Sequence, residues 1–123
     1  MKNEYGVRLD RNGYAPSIIP GHGEYCCLLC GKNRYIERHE VFGGAYRAKS
    51  KAYGLWVHLC ESCHRTGGDA VHSTGGATVK ERAQRAAMAA YGWTVDEFRF
   101  HFGKNYLDDE ELEEIAAIQA ESA

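Results

Sequence analysis

Two C-x2-C pairs, Cys27-Leu-Leu-Cys30 and Cys60-Glu-Ser-Cys63, constrain this chain more than any other feature. A C-x2-C turn offers two thiolates to one ion, and zinc takes four soft ligands in a tetrahedron. The 29 residues between the pairs then become a closed loop. The chain holds five cysteines, an odd number that argues against a disulfide framework. Cys26 is the spare, because the spacing Cys27-x-x-Cys30-Gly31 suits a zinc knuckle. A redox reading of either pair lacks a βαβ context.

A length of 123 residues suits one domain with a modest core, which a metal clamp would reinforce. The first ten residues, Met1 to Asp10, are polar and hold no signal-peptide h-region, and no apolar run approaches a membrane span. The expectation is a cytoplasmic protein that does not enter the membrane. The net charge of −2 hides an asymmetry. Seven acids and no Lys or Arg lie in residues 105–123, which leaves 15 basic against 10 acidic side chains in residues 1–104. A polyanion partner is therefore allowed, and it would meet the central segment. Arg38, Arg47, Lys49, Lys51 and Arg65 are the candidate phosphate contacts there.

Residues 1–24, rich in Gly, Asn and Pro, read as an ordered arm, and residues 25–76 as the clamped core. Strands are expected at 34–42, ending at Gly43-Gly44, and at 53–59, where Leu55, Val57 and Leu59 alternate with Trp56 and His58. A short helix or knuckle follows from Cys60 to about Thr66. Two helices within 77–104 each open with a Thr-x-x-Glu capping box, at Thr78/Glu81 and Thr94/Glu97, and stop at Gly92 and Gly103. Their expected packing faces are Val79, Ala83, Ala86, Ala87 and Ala90 in the first, and Val95, Phe98 and Phe102 in the second. An acidic helix in 105–123 starts near Asp108 and presents Leu112, Ile115 and Ile118. The fold class is thus α+β.

His39 and Glu40 end the first strand, His64 directly follows Cys63, and His72 lies eight residues on. Imidazoles from a strand end and from a metal-anchored helix can meet at one cation, which hydrolysis of a phosphodiester requires together with a base. His22, His58 and His101 read as packing or surface residues.

The stretches ERHEVFGG, YGLWVHLCESCHR and AVH, with the flanking LDRNGYAPSI and YGWTVDEFRFHFGKNYL, resemble small phage proteins of the HNH, or ββα-metal, nuclease group. The resemblance spans roughly residues 8–107. It implies a zinc-stapled ββα-metal core with C-terminal helices, in a protein that works in the host cytoplasm. In that group the first strand ends in a metal ligand followed by a general-base His, and the residue after the second Cys of the clamp is commonly another ligand. By position His39 and His64 would hold the catalytic ion, with His72 a further ligand, and the base position falls on Glu40. Two assignments remain open: His39 is the base with Glu40 a ligand, which suits imidazole better at neutral pH, or Glu40 is the base. The group's Asn, which braces the loop carrying the base, falls near Leu55, with Ser50 or Tyr53 as possible substitutes.

The function expected is a metal-dependent endonuclease or nickase acting on DNA, with structural Zn²⁺ and a catalytic Mg²⁺ or other divalent cation. Two alternatives belong to other classes. One is a non-catalytic zinc-stabilised DNA- or protein-binding accessory factor of phage recombination. The other is a protein-directed factor of host takeover that docks through the acidic helix.

Overall fold

The computed structural model describes residues 1–22, 25–66 and 76–122. Its sheet is a single antiparallel pair, β1 (Ile36–Glu40) and β2 (Trp56–Cys60), in the register Ile36↔Cys60, His39↔Val57 and Glu40↔Trp56. Between the strands lie a 3-10 turn (Gly44–Tyr46) and α1 (Arg47–Ala52). One π-helical turn (Ser62–Thr66) follows β2, and then α2 (Gly76–Tyr91), α3 (Val95–Phe102) and α4 (Asp109–Ser122). Among the described residues no helix is long and apolar enough to cross a membrane.

Strand alternation explains the layering. Leu55, Val57 and Leu59 are fully buried and meet Val79, Ala83 and Ala87 of α2, Phe98 and Phe102 of α3, and Trp93 in one core. Trp56 and His58 face the other way and are covered by the N-terminal arm. Trp56 Nε1 donates to Ala15 O at 2.7 Å, and Ser17 Oγ donates to Trp56 O at 2.6 Å. The arm is pinned further along by Ala15 N to Lys51 O and Ile18 N to Gly54 O. Gly54 has φ +72, and a Cβ there would run into the Pro16 carbonyl, so only glycine lets the arm lie this close.

The ladder is shorter than the 34–42 expected from sequence. Tyr35 sits at φ +54, outside strand geometry, and Val41 and Phe42 turn inward as buried core residues. The segment after Gly43-Gly44 is helical, although too short to show a periodic signal.

The Thr94–Glu97 capping box forms, with Glu97 N donating to Thr94 Oγ1 at 3.2 Å, and α3 stops at Gly103 in the left-handed region at φ +80. The expected Thr78–Glu81 box does not. The chain is already helical at Gly76, whereas an N-cap needs extended backbone. The packing face of α2 is also shifted. Ala90 is exposed, while Gln84 and Met88 are buried. Gln84 is tolerated inside because its Nε2 donates to Asn105 Oδ1 at 2.8 Å and its Oε1 accepts from Tyr106 N at 2.7 Å. The acidic α4 starts after Asp108, whose carboxylate caps Glu111 N at 2.8 Å. Its Leu112 and Ile115 pack on the core, its Gln119 donates to Trp93 O at 2.9 Å, and Arg85 pairs with Glu111 at 2.6 Å. Ile118 is largely exposed.

An aromatic cluster ties arm to helices. Tyr5 stacks on Tyr91 at 4.6 Å, Trp93 Nε1 donates to Tyr5 Oη at 2.6 Å, and Tyr91 Oη donates to Tyr53 O at 2.5 Å. Burial, with Tyr5 nearby, pushes the Tyr91 phenol up to about 12 from its ordinary 10.0. The folded state thus holds its proton where the unfolded chain has lost it, and this contribution is full below pH 10 and fades as pH rises towards 12. Stability should therefore fall with pH in that window, and Tyr91→Phe should flatten the fall. Urea unfolding at stepped alkaline pH, with tyrosinate absorbance as a second signal, measures both.

Candidate metal centre and histidine pocket

The Sγ atoms of Cys27, Cys30, Cys60 and Cys63 lie within 4.8 Å of one another, and this is the one such ligand set among the described residues. The first pair sits on a knuckle closed by Gly31 N to Cys27 O at 2.9 Å and Cys27 N to Lys32 O at 2.8 Å. The second pair joins the end of β2 to the π-helical turn. Cys30 and Cys60 stand 3.6 Å apart, sulfur to sulfur. The edge of a zinc–thiolate tetrahedron with bonds of about 2.3 Å is ~3.8 Å, whereas a disulfide is about 2.05 Å, so the set fits a metal and not a bond.

Its electrostatics point the same way. Burial raises the Cys27 thiol, but the amides of Cys60, Cys30 and Leu29 outweigh it and bring the group down to about 7. Cys63 is pushed far up, first by burial and then by the three neighbouring sulfurs. Four crowded thiols resist losing their protons together, and a dication supplies the charge that lets them. The four cysteines can therefore hold a metal ion such as zinc. Cys26, the neighbouring fifth, stays out of the set.

His39 and His64 meet. Their ring centroids are 5.0 Å apart with the planes at 63°. His39 is buried, with 9% of its surface exposed, and His64 is half-buried. Two devices bring them together. Alternation puts His39 on the same face of β1 as Glu37, and the clamp at Cys63 delivers the next residue, His64, to that face. Glu37 was not among the residues singled out from sequence, although its i−2 spacing from His39 marks it. Its Oε1 accepts from His64 Nδ1 at 2.8 Å, and Arg65 holds the same carboxylate through Nε at 3.1 Å and Nη2 at 2.5 Å. The hydrogen bond from His64, against the opposing effect of burial, keeps Glu37 below its ordinary pKa, with Arg65 assisting. An ionised carboxylate can only accept, so the proton of a neutral His64 ring sits on Nδ1 and Nε2 is its lone-pair nitrogen.

Glu40 does not join them. It points to the opposite face, where its Oε1 accepts from Tyr14 Oη at 2.6 Å and from Arg47 Nε at 2.9 Å. Burial raises the Glu40 carboxyl, but the bonds from Tyr14 and Arg47 win and leave it lower than usual, which makes a poor base. His72 lies outside the described residues.

Ser50, one of the two substitutes considered for the group's Asn, holds the loop after β1. Fully buried, its Oγ accepts from Phe42 N at 3.1 Å and donates to Phe42 O at 2.8 Å, which fixes the chain just past His39 and Glu40. Leu55 packs in the core, and the Tyr53 hydroxyl is engaged with Glu4.

The five basic residues expected at phosphates all have intramolecular partners. Arg38 lies over the rings of Tyr14 (4.1 Å) and Trp56 (4.4 Å), with Asp10 at 3.8 Å. Arg47 is paired with Glu40 and Arg65 with Glu37. Lys49 donates to His101 O at 3.2 Å, and Lys51 to Asn12 O at 3.4 Å. Of the three histidines read as packing or surface residues, His101 stacks on Trp93 at 4.3 Å, and His22 of the arm lies 5.3 Å from His58 of β2. No family model matches the chain, and no curated protein or solved structure matches it.

Purified protein should carry about one zinc per chain. Cys60→Ser and Cys63→Ser should each lose the metal together with cooperative unfolding, while Cys26→Ser keeps both, as metal analysis and thermal melts would read. Ser50→Ala strands a buried amide and should cost about 1–3 kcal/mol in urea unfolding.

Proposed function

We propose that this protein is a metal-dependent endonuclease that hydrolyses DNA phosphodiester bonds, built on a zinc-stapled HNH-like core. The observation that carries the reading is the meeting of His39 and His64, with Glu37 behind His64. A carboxylate that fixes the tautomer of a histidine is the usual support for an imidazole that ligates a cation. His64 Nε2 is the group that would hold the catalytic ion, with His39 beside it as second ligand or as base, and His72 remains a candidate further ligand. When bound, a divalent cation there polarises the phosphate and offsets charge on the leaving oxygen.

The chain's own groups do the rest. Water attacks phosphorus and gives a proton to a base at the pocket, while the bond from phosphorus to the 3′ oxygen breaks. That oxygen takes a proton from solvent, so the products are a 5′ phosphate and a 3′ hydroxyl. His39 is the better base of the two adjacent residues, because Glu40 is turned away and held ionised by Tyr14 and Arg47. If His39 serves as base, the ion rests on His64 and a further ligand.

Glu40 in place of the group's histidine also supports a second reading, a zinc-stabilised DNA-binding factor without turnover. Plasmid nicking separates the two. With Mg²⁺ or Mn²⁺, supercoiled DNA should relax, and His39→Ala and His64→Ala should each slow this by about a hundredfold or more. Glu37→Gln should slow it about 10–100-fold. Nicking that survives both histidine changes sinks the nuclease reading. Salt-sensitive DNA binding with no nicking under any of these ions favours the second.

A further inference from the structure

The zinc knuckle is bracketed by two tyrosines in a conformation that bulky residues rarely adopt. Tyr25 has φ +60 and Tyr35 has φ +54, yet 65% and 74% of their surfaces are exposed. Left-handed backbone at a non-glycine residue costs stability, and burial of these rings offers little in return. At Tyr35 the conformation is held by Glu61 N, which donates to Tyr35 O at 3.0 Å and so ties the residue to the end of β2 beside Cys60. The result is an aromatic ring standing out from the metal centre.

The ring stands beside an open cavity of about 420 Å³ lined by Lys32, Arg34, Tyr35, Cys60, Glu61 and Ser62. The Arg34 guanidinium lies 5.9 Å from the Tyr35 ring centroid. Unlike Arg38, Arg47 and Arg65, Lys32 and Arg34 form no ion pair among the described residues. Lys32 and Arg34 set two cationic side chains on this wall against one acid, Glu61. An exposed ring beside cations that lie outside ion pairs is what a single strand needs, because a base stacks on the ring and its phosphate meets the cations. A duplex hides its base faces and gains nothing from the ring.

We propose that Tyr35, Lys32 and Arg34 form a subsite for an unpaired nucleotide of single-stranded DNA. This rests on the reading of the chain as a DNA enzyme and adds the form of DNA that it takes. Four chain steps, at most about 13 Å, separate Tyr35 from His39, which is within the reach of one bound strand.

The test is fluorescence anisotropy with the zinc-loaded full chain, a labelled oligothymidine strand and a labelled duplex, without added catalytic cation. The single strand should bind more tightly than the duplex. Tyr35→Ala should weaken single-strand binding about tenfold or more, and Tyr35→Phe should restore it. Lys32→Ala and Arg34→Ala should each make the salt dependence shallower by about 0.7 in the log–log slope. Tyr35→Gly suits the left-handed backbone, so it should melt no lower than wild type and still lose binding, which separates a lost stacking face from a lost fold. Wild-type affinity in both Tyr35→Ala and Tyr35→Gly overturns the subsite, as does an equal or stronger hold on duplex. Nicking that occurs with no dependence of binding on Tyr35 would overturn the subsite alone. Tyr35-dependent binding with no nicking would overturn the nuclease reading alone.

Discussion

Everything near the functional surface depends on four sulfurs gathered from two distant turns. Cys27 and Cys30 come from a knuckle, and Cys60 and Cys63 from the end of a strand and the turn beyond it. With a cation among them, the long loop between the pairs is closed, and the entropy of that closure is met by metal–ligand bonds and not by a large core. The two-stranded ladder would be marginal alone. Its stability comes from the clamp at one end, the helices on one face and the arm on the other.

Strand alternation then divides the chemistry. On one face of β1, Glu37 and His39 meet His64. On the other, Arg38 and Glu40 are occupied by Tyr14, Trp56 and Arg47. Adjacent residues of one strand thus serve different ends. The pair His39-Glu40, which looks like a unit in the sequence, is split by the pleat into a buried imidazole beside a second histidine and a carboxylate fixed by a phenol and a guanidinium.

Much of this was legible beforehand, and the rest was not for identifiable reasons. The Cys spacing gave the clamp, including the exclusion of Cys26, because ligand geometry is local. Capping chemistry located α3, and the alternation of residues 55–59 located β2. The helix Arg47–Ala52 escaped because six residues carry no periodic signal, and Ser50 then acquired its role from a fold that propensity does not encode. Glu37 was readable by the same alternation that placed His39, but its role depends on His64 arriving from beyond the second Cys pair. The left-handed tyrosines have no signature in sequence, since Asn or Gly would be the expected residues at such angles. The arm's hold on β2 through Trp56 and Gly54 is likewise a tertiary fact.

The register of the ladder has a consequence for how this gene can change. Ile36 lies opposite Cys60, so a cysteine of the four-thiolate set also sets which residues of β1 look inward. A slip of one position would exchange the faces of the whole strand, presenting Glu40 and Arg38 where His39 and Glu37 now stand. Point substitutions on either surface leave that indexing intact. A single inserted or deleted codon between residue 36 and residue 40 does not, and lineages carrying one would keep their thiolate cage while losing the pairing of imidazoles beside it.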